Sequence, residues 1–359
     1  MANRLIRYEY GAGIGVTYGS DTGVLVIGES LPVTTSASMY GIAADSSGNV
    51  FIADSQVSAI YRVDSRGKPW LFAGTPGTEG NINGAATVAR FDGPRGIAVD
   101  RSGFVYVADT NNNAIRKIDH TGTVATVAPR NPTTGVPVTI TAPFGVAVGP
   151  NGWIYVTANH AVYQIKPDGE CLVLAGSPGN AGNEKGLHSG TGAKCFGTIA
   201  RFSTPKGIAV DRSGNVYVAD SGNDQIKKIY TDGWVVRHSG STDGNVLGDA
   251  DASKFKSLGF LTVNRTGDLF VIDNTASNTY RLKRVDTNGI STYISAVTSG
   301  DPARIALGVT ADPSGVLFVV ESDGTNAGSS SSTMQSVSSS LSSSSTKASV
   351  SSSSSSLLG

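Results

Sequence analysis

Acidic residues recur at one place in a repeated phrase. Asp54, Asp109, Asp220 and Asp273 each close a run of Val, Ile, Tyr or Phe, and Asn159 and Glu321 stand at the matching places. Basic residues recur just ahead of a second phrase, at Arg90, Arg95, Arg201, Lys206, Lys254 and Arg304. A ring of such charges around a channel could hold a sugar, a peptide or an anion. The other chemistry open to them is internal: a turn carboxylate accepts hydrogen bonds from its own backbone, and an arginine ties neighbouring segments together. Recurrence in nearly every copy favours the internal role, because a specific site breaks a pattern more often than it repeats one.

The elements that must carry these charges follow from the repeat itself. Residues 96–118 read GIAVDRSGFVYVADTNNNAIRKI and residues 207–229 read GIAVDRSGNVYVADSGNDQIKKI. The leading glycine recurs at Gly41, Gly96, Gly145, Gly207, Gly259 and Gly308, at intervals of 49 to 62 residues. Each copy holds a short apolar run, an Asp-x-Ser-Gly turn, a β-branched and aromatic run, a polar turn, a third run such as AIRKI, and a fourth such as PWLFAG or CLVLAG. The turn Asp suits self-capping, and the Gly suits positive φ. Four short antiparallel strands per unit predict an all-β protein, a closed six-bladed β-propeller of four-stranded blades.

After Gly308 only two strands remain before serine takes over, and two orphan runs, RLIRYEY and GIGVTYG, precede Gly41. Residues 3–19 are therefore expected to complete the last blade by pairing with residues 304–322, removing exposed sheet edges. This places a propeller domain at 1–325 and a serine-rich tail at 326–359.

The copies at 96 and 207 closely resemble NHL repeats, and the connectors AGTPGTEGNINGAATVARFDGPRG (73–96) and AGSPGN…IARFSTPKG (175–207) resemble those of bacterial and phage NHL-repeat proteins. The Trp-Asp pairs of WD40 blades and the paired glycines of kelch blades are absent. The resemblance implies a propeller over roughly residues 1–323 and leaves function wide, since this family includes scaffolds, ligand sensors, RNA-binding modules and a few lyases. Amidating lyases with this kind of propeller hold zinc through histidines near the channel. Here Tyr40, Arg95, Phe144, Lys206, Leu258 and Leu307 stand at those places, and His120, His160, His188 and His238 occupy non-equivalent positions. Lactonase-like relatives need a Glu, Asn and Asp set on one metal, and nothing in the acidic ring singles out such a set. No catalytic residue, metal ligand or cofactor is assigned, and the expectation is a protein that is not an enzyme.

Charged residues make up 16% of the chain, below the roughly 25% usual in soluble domains. Net charge is zero, so bulk charge argues against nucleic acid or an anionic membrane as partner. No stretch approaches the roughly 18 apolar residues of a membrane span. The opening MANRLIRYEYGAG lacks the apolar core of a signal peptide. Two cysteines, Cys171 and Cys195, fit no zinc spacing; they are either separate thiols or a disulfide pinning the connector between them. That connector, 176–207, is nine residues longer than its counterpart at 74–96, which makes it either a place for a grafted contact or a tolerated insertion.

Serine supplies 19 of the last 31 residues, too few apolar groups for a core of its own. Met334, Val337 and Leu341 fall at helical spacing and Leu357 and Leu358 nearly end the chain, so the tail is expected to dock on a partner or act as a tether. The combined expectation is a non-catalytic binding or structural module on a larger assembly, such as the capsid or tail of a phage virion, reached without secretion. Protein partners would be met through the tail, with a glycan or peptide on the loop face. The alternative is a bacterial ligand-binding or sensor propeller, and the third reading is a metal-dependent lyase or lactonase-like enzyme.

Overall fold

The computed structural model describes residues 4–8, 24–28, 41–183, 194–197, 199–240, 255–276, 279–293, 305–313 and 316–322. The chain divides into two compact units, Met1–Ala327 and Gly328–Gly359. The second unit, with Met334, Val337, Leu341, Leu357 and Leu358, lies outside the described residues.

The repeated phrase folds as its chemistry requires. In the Gly96 blade the strands are Pro94–Val99, Val105–Asp109, Ala114–Ile118 and Val124–Thr126, each antiparallel to the next. Between the first two, Asp100 Oδ1 accepts from the N–H groups of Ser102 (2.8 Å) and Phe104 (3.0 Å), and Gly103 takes φ 82°. The Gly207 blade repeats this turn with Asp211, Ser213, Asn215 and Gly214. Aspartate therefore starts the turn, and glycine occupies the left-handed conformation that closes it.

Inner strands begin near a marker glycine, and at Gly41, Gly96, Gly145 and Gly207 the glycine has a packing reason. A Cβ on Gly96 would lie 2.5 Å from the Phe144 carbonyl oxygen and 2.8 Å from the Gly145 Cα of the next inner strand. Gly207 meets the Gly259 carbonyl oxygen in the same way, at 2.6 Å. At these glycines the inner strands pack backbone to backbone around the axis, and a Cβ on any of the four would drive into the next inner strand. In the Gly259 blade Phe260 takes the place that Gly145 holds beside Gly96, its Cα 2.8 Å from a Cβ added to Gly207. They follow one another in chain order, and Ile305–Ala311 packs back on Gly41–Ala44.

The core lies between sheets. Phe51, Ile60 and Phe72 of the Gly41 blade bury against Ile97, Val107 and Ile118 of the Gly96 blade. Phe318 and Val320 of the Gly308 blade pack on Ile42, Ile52 and Tyr61 of the first blade. Each such side chain contributes about 1.5–3 kcal/mol relative to exposure. A lone blade would lose both of its apolar faces to water, which is why the phrase is written repeatedly.

Two expectations are corrected. Five blades are four-stranded, not six: the sheet of the Gly207 blade carries a fifth strand, Lys194–Phe196, on the outside of Trp234–Ser239. The reason lies in how connectors run. The connector into the Gly96 blade bridges its outer strand at Gly84 and Val124, and the connector into the Gly145 blade does so at Arg130 and Glu170. In these blades the connector covers the outer edge of the blade it is about to enter, and the longer 176–207 connector makes a whole strand of that contact. The second correction concerns the Gly308 blade. Arg4–Tyr8 pairs with Leu317–Ser322, but the outer strand is Val24–Gly28 and not 13–19, which lies outside the described residues.

Among the described residues there is no α-helix, only a single 3-10 turn at Ser221–Asn223, and no helix long and apolar enough to cross a membrane.

Candidate binding site in the central channel

The four recurring aspartates do not form an open ring. Asp54, Asp109, Asp220 and Asp273 are all fully buried. Asp109 Oδ2 sits 2.7 Å from Arg116 Nη1, Asp220 Oδ2 sits 2.7 Å from Lys227 Nζ, and Asp273 Oδ2 sits 2.7 Å from Lys283 Nζ. Each of these carboxylates also accepts a backbone N–H from the loop leading into its own blade: from Asp92 (2.8 Å), Ser203 (2.7 Å) and Lys256 (2.8 Å) respectively. The residue just before each donor is a fully buried phenylalanine, Phe91, Phe202 or Phe255, and the cation lies over its ring at 5.2, 4.9 and 4.8 Å. Phenylalanine, cation and carboxylate therefore form one locking unit that fastens the lead-in loop to the second and third strands. Burial pushes the Asp109 carboxyl up, while the Asp92 N–H, Asn112 and Arg116 oppose it.

This unit is absent where the cation is replaced. Tyr61 and Tyr163 occupy the Arg116 position, opposite Ile52 and Val156 as Arg116 is opposite Val107. Asp54 still caps its own turn, accepting from the Gln56 N–H at 2.9 Å. The third-strand cations are the residues that the sequence argument missed. Their signal is present in AIRKI, QIKKI and RLKRV, a basic residue at an inward-facing strand position.

The recurring basic residues separate. Arg90 contributes its backbone, its carbonyl accepting from Arg116 Nη1 at 3.0 Å. Arg201 Nη1 donates to the carbonyls of Ile199 and Ala200, both at 3.0 Å. Arg95 and Lys206 come to the channel mouth. Arg95 is exposed, with its guanidinium 5.1 Å from the Phe144 ring centre. Lys206 Nζ reaches Ser257 Oγ at 3.4 Å; its ammonium is pulled down by burial first and then by Arg95, with Asp224 opposing. Phe144 meets Phe260, two blades along, with ring centres 5.4 Å apart. The two rings, from blades two apart, therefore meet over the channel, and Arg95 lies over the first of them. Below them, toward the turns between first and second strands, the channel widens into a cavity of about 500 Å³. Lys254 and Arg304 lie outside the described residues, as does the side chain of Glu321; Asn159 takes a left-handed turn position, φ 43°.

The histidines stay apart. His120 is exposed against Phe104, His160 Nδ1 accepts the Thr204 N–H at 3.1 Å, and His238 is buried edge-on to Tyr217. His188 lies outside the described residues. Among the described residues no three of His, Cys, Asp and Glu come together as a metal-binding group. Cys171 is a free, buried thiol, and the side chain of Cys195 lies outside the described residues.

Residues 202–229 match the NHL repeat family, and residues 75–139 match the Teneurin NHL domain family. The chain carries NHL repeats. Teneurin-3 of Danio rerio is 28% identical over 219 residues, covering 53% of this chain and 8% of that protein. NHL repeat-containing protein 2 of Bos taurus is 26% identical over 267 residues, covering 65% of this chain and 35% of that protein. The chain thus spans a minor part of the length of these relatives. Among solved structures, a gluconolactonase of Xanthomonas campestris superposes with TM-score 0.51 at 15% identity, over 79% of this chain and 86% of that one. At that identity the likeness concerns the fold alone. A shared fold does not carry a shared function.

Proposed function

We propose that this NHL propeller is a non-catalytic binding module displayed on a larger assembly, engaging an anionic group of a protein or glycan partner at the channel mouth. The observation that carries this reading is the use made of the recurring charges. The carboxylates that could have held a metal or a substrate are buried against Arg116, Lys227 and Lys283, while Arg95 and Lys206 stand at the mouth beside Phe144. Cations beside an aromatic ring suit a carboxylate with an apolar neighbour. The teneurin relatives support display as part of something larger, since the matched region is a small fraction of each. The surface-type composition and serine-rich tail suit a virion as that assembly. The named relatives do not point to one, so the proposal is for display in general.

Two baits test it, full-length chain and chain ending at Ala327, each with and without Arg95→Glu, with captured proteins identified by mass spectrometry from particles or cells of the source. The reading expects one partner set lost on Arg95→Glu, and an assembly set lost on truncation. Capture unaffected by either change contradicts it.

A further inference from the structure

A second charged mouth lies at the other end of the inner strands. The arginine of VDRSG, VDRSG and VNRTG follows the turn acid or amide in three blades, giving Arg101, Arg212 and Arg265. Ser46, Pro150 and Pro313 hold that place in the others. All three arginines line the cavity of about 500 Å³, room enough for a small molecule.

The acids at this mouth are already engaged. Asp100 accepts two turn N–H groups and the Tyr106 hydroxyl (3.2 Å). Asp211 accepts two turn N–H groups, the Asn215 amide (2.8 Å) and the Tyr217 hydroxyl (3.3 Å). Asp312, the third lining carboxylate, accepts the Val316 N–H at 2.9 Å. Arg212 is engaged too: its Nη2 donates to the Pro313 carbonyl at 3.0 Å, from the Gly207 blade to the Gly308 blade. Arg101 and Arg265 are exposed, and among the described residues neither has a hydrogen bond or an ion pair. Deeper in, the inner strands pair on one edge only, with their second strands, so their other edge offers backbone N–H and C=O groups to the cavity.

We propose that this cavity binds a small organic carboxylate, with the anionic head on Arg101 and Arg265 and polar substituents on the inner-strand backbone. A guanidinium presents two parallel donors that match a carboxylate, and donors without an internal acceptor are the ones a ligand can use. The site is distinct from the Arg95–Lys206 mouth, since neither of those residues lines this cavity.

Isothermal titration of the full-length protein at low ionic strength tests it, with citrate, succinate and inorganic phosphate as probes. The variants are Arg101→Glu, Arg265→Glu and, as a control, Arg66→Glu. Arg66 is an exposed turn residue of the Gly41 blade outside the cavity, and it carries the same change in charge. The expected result is saturable one-site binding of a carboxylate, weakened about tenfold or more by either cavity variant and unchanged by the control. No saturable binding of citrate or succinate, equal weakening in Arg66→Glu, or indifference to both cavity variants overturns the proposal. Phosphate binding tighter than either carboxylate overturns the carboxylate assignment.

Discussion

Arg116 Nη1 lies 2.7 Å from Asp109 Oδ2, and both side chains are completely buried. Neither charge has water to fall back on, so each depends on the other. Asp109→Ala leaves the Arg116 guanidinium uncompensated and is expected to cost about 3–5 kcal/mol. Asp109→Leu with Arg116→Met removes both charges and is expected to cost clearly less than Asp109→Ala alone. Urea denaturation of the three proteins measures both differences. A single Asp109→Ala as stable as the parent contradicts the locking unit.

Two glycines separate steric from conformational demands. Gly96→Ala drives a Cβ into the neighbouring inner strand, 2.5 Å from the Phe144 carbonyl oxygen. Gly77 sits at φ 74° with nothing within 4 Å of an added Cβ. Gly77→Ala is expected to cost about 1–2 kcal/mol, the strain of the left-handed region. Gly96→Ala is expected to cost about 3 kcal/mol or to prevent folding, because backbone cannot step aside as a side-chain tip can. Comparative thermal denaturation ranks the pair, and the reverse order contradicts the packing argument.

Burial pushes His238 down to about 4, and nearby Lys228 adds to the effect. The free imidazole titrates near 6.5, so the unfolded chain holds the extra proton first as pH falls. Stability linked to this residue is therefore complete above about pH 6.5 and is lost as pH falls toward 4. The loss is at most about 3 kcal/mol for this one group. His238→Phe removes the titration while keeping an aromatic ring against Tyr217. Denaturation midpoints between pH 4 and 7 are expected to fall less steeply in the variant, and identical slopes contradict the assignment.

Much of the blade is legible in the sequence, since the turn Asp and Gly of VDRSG and the marker glycine of GIAVD are local signals with local causes. The locking unit is half legible. Asp109, Asp220 and Asp273 recur visibly, but their cations sit in the third strand, and alternation marks those places as inward-facing without saying that a charge can be buried there. The outer strand Val24–Gly28 and the fifth strand Lys194–Phe196 are long-range pairings, set by where a connector runs and not by the residues that form them. Arg101 and Arg265 are plain in the sequence, yet attention to the lead-in loops places the ring of charges at the opposite end of the channel.

Burial lifts the Cys171 thiol to about 11, so almost none of it is thiolate at neutral pH. Native protein treated with iodoacetamide is expected to leave Cys171 unmodified, and denatured, unreduced protein to be modified there fully. Peptide mass spectrometry reads both states. If labelling of Cys171 requires a reductant, it is disulfide-bonded and the free thiol is wrong.

The central claim is that the recurring acids of the propeller build blades and that the molecule binds without metal chemistry. Elemental analysis tests it most directly: full-length protein is equilibrated with zinc and calcium, dialysed, and compared with Asp220→Asn treated alike. The account predicts no stoichiometric metal in either protein and a lower stability for the variant. One metal per chain, removed by a chelator and lost on Asp220→Asn, would contradict it and return the acidic ring to catalysis.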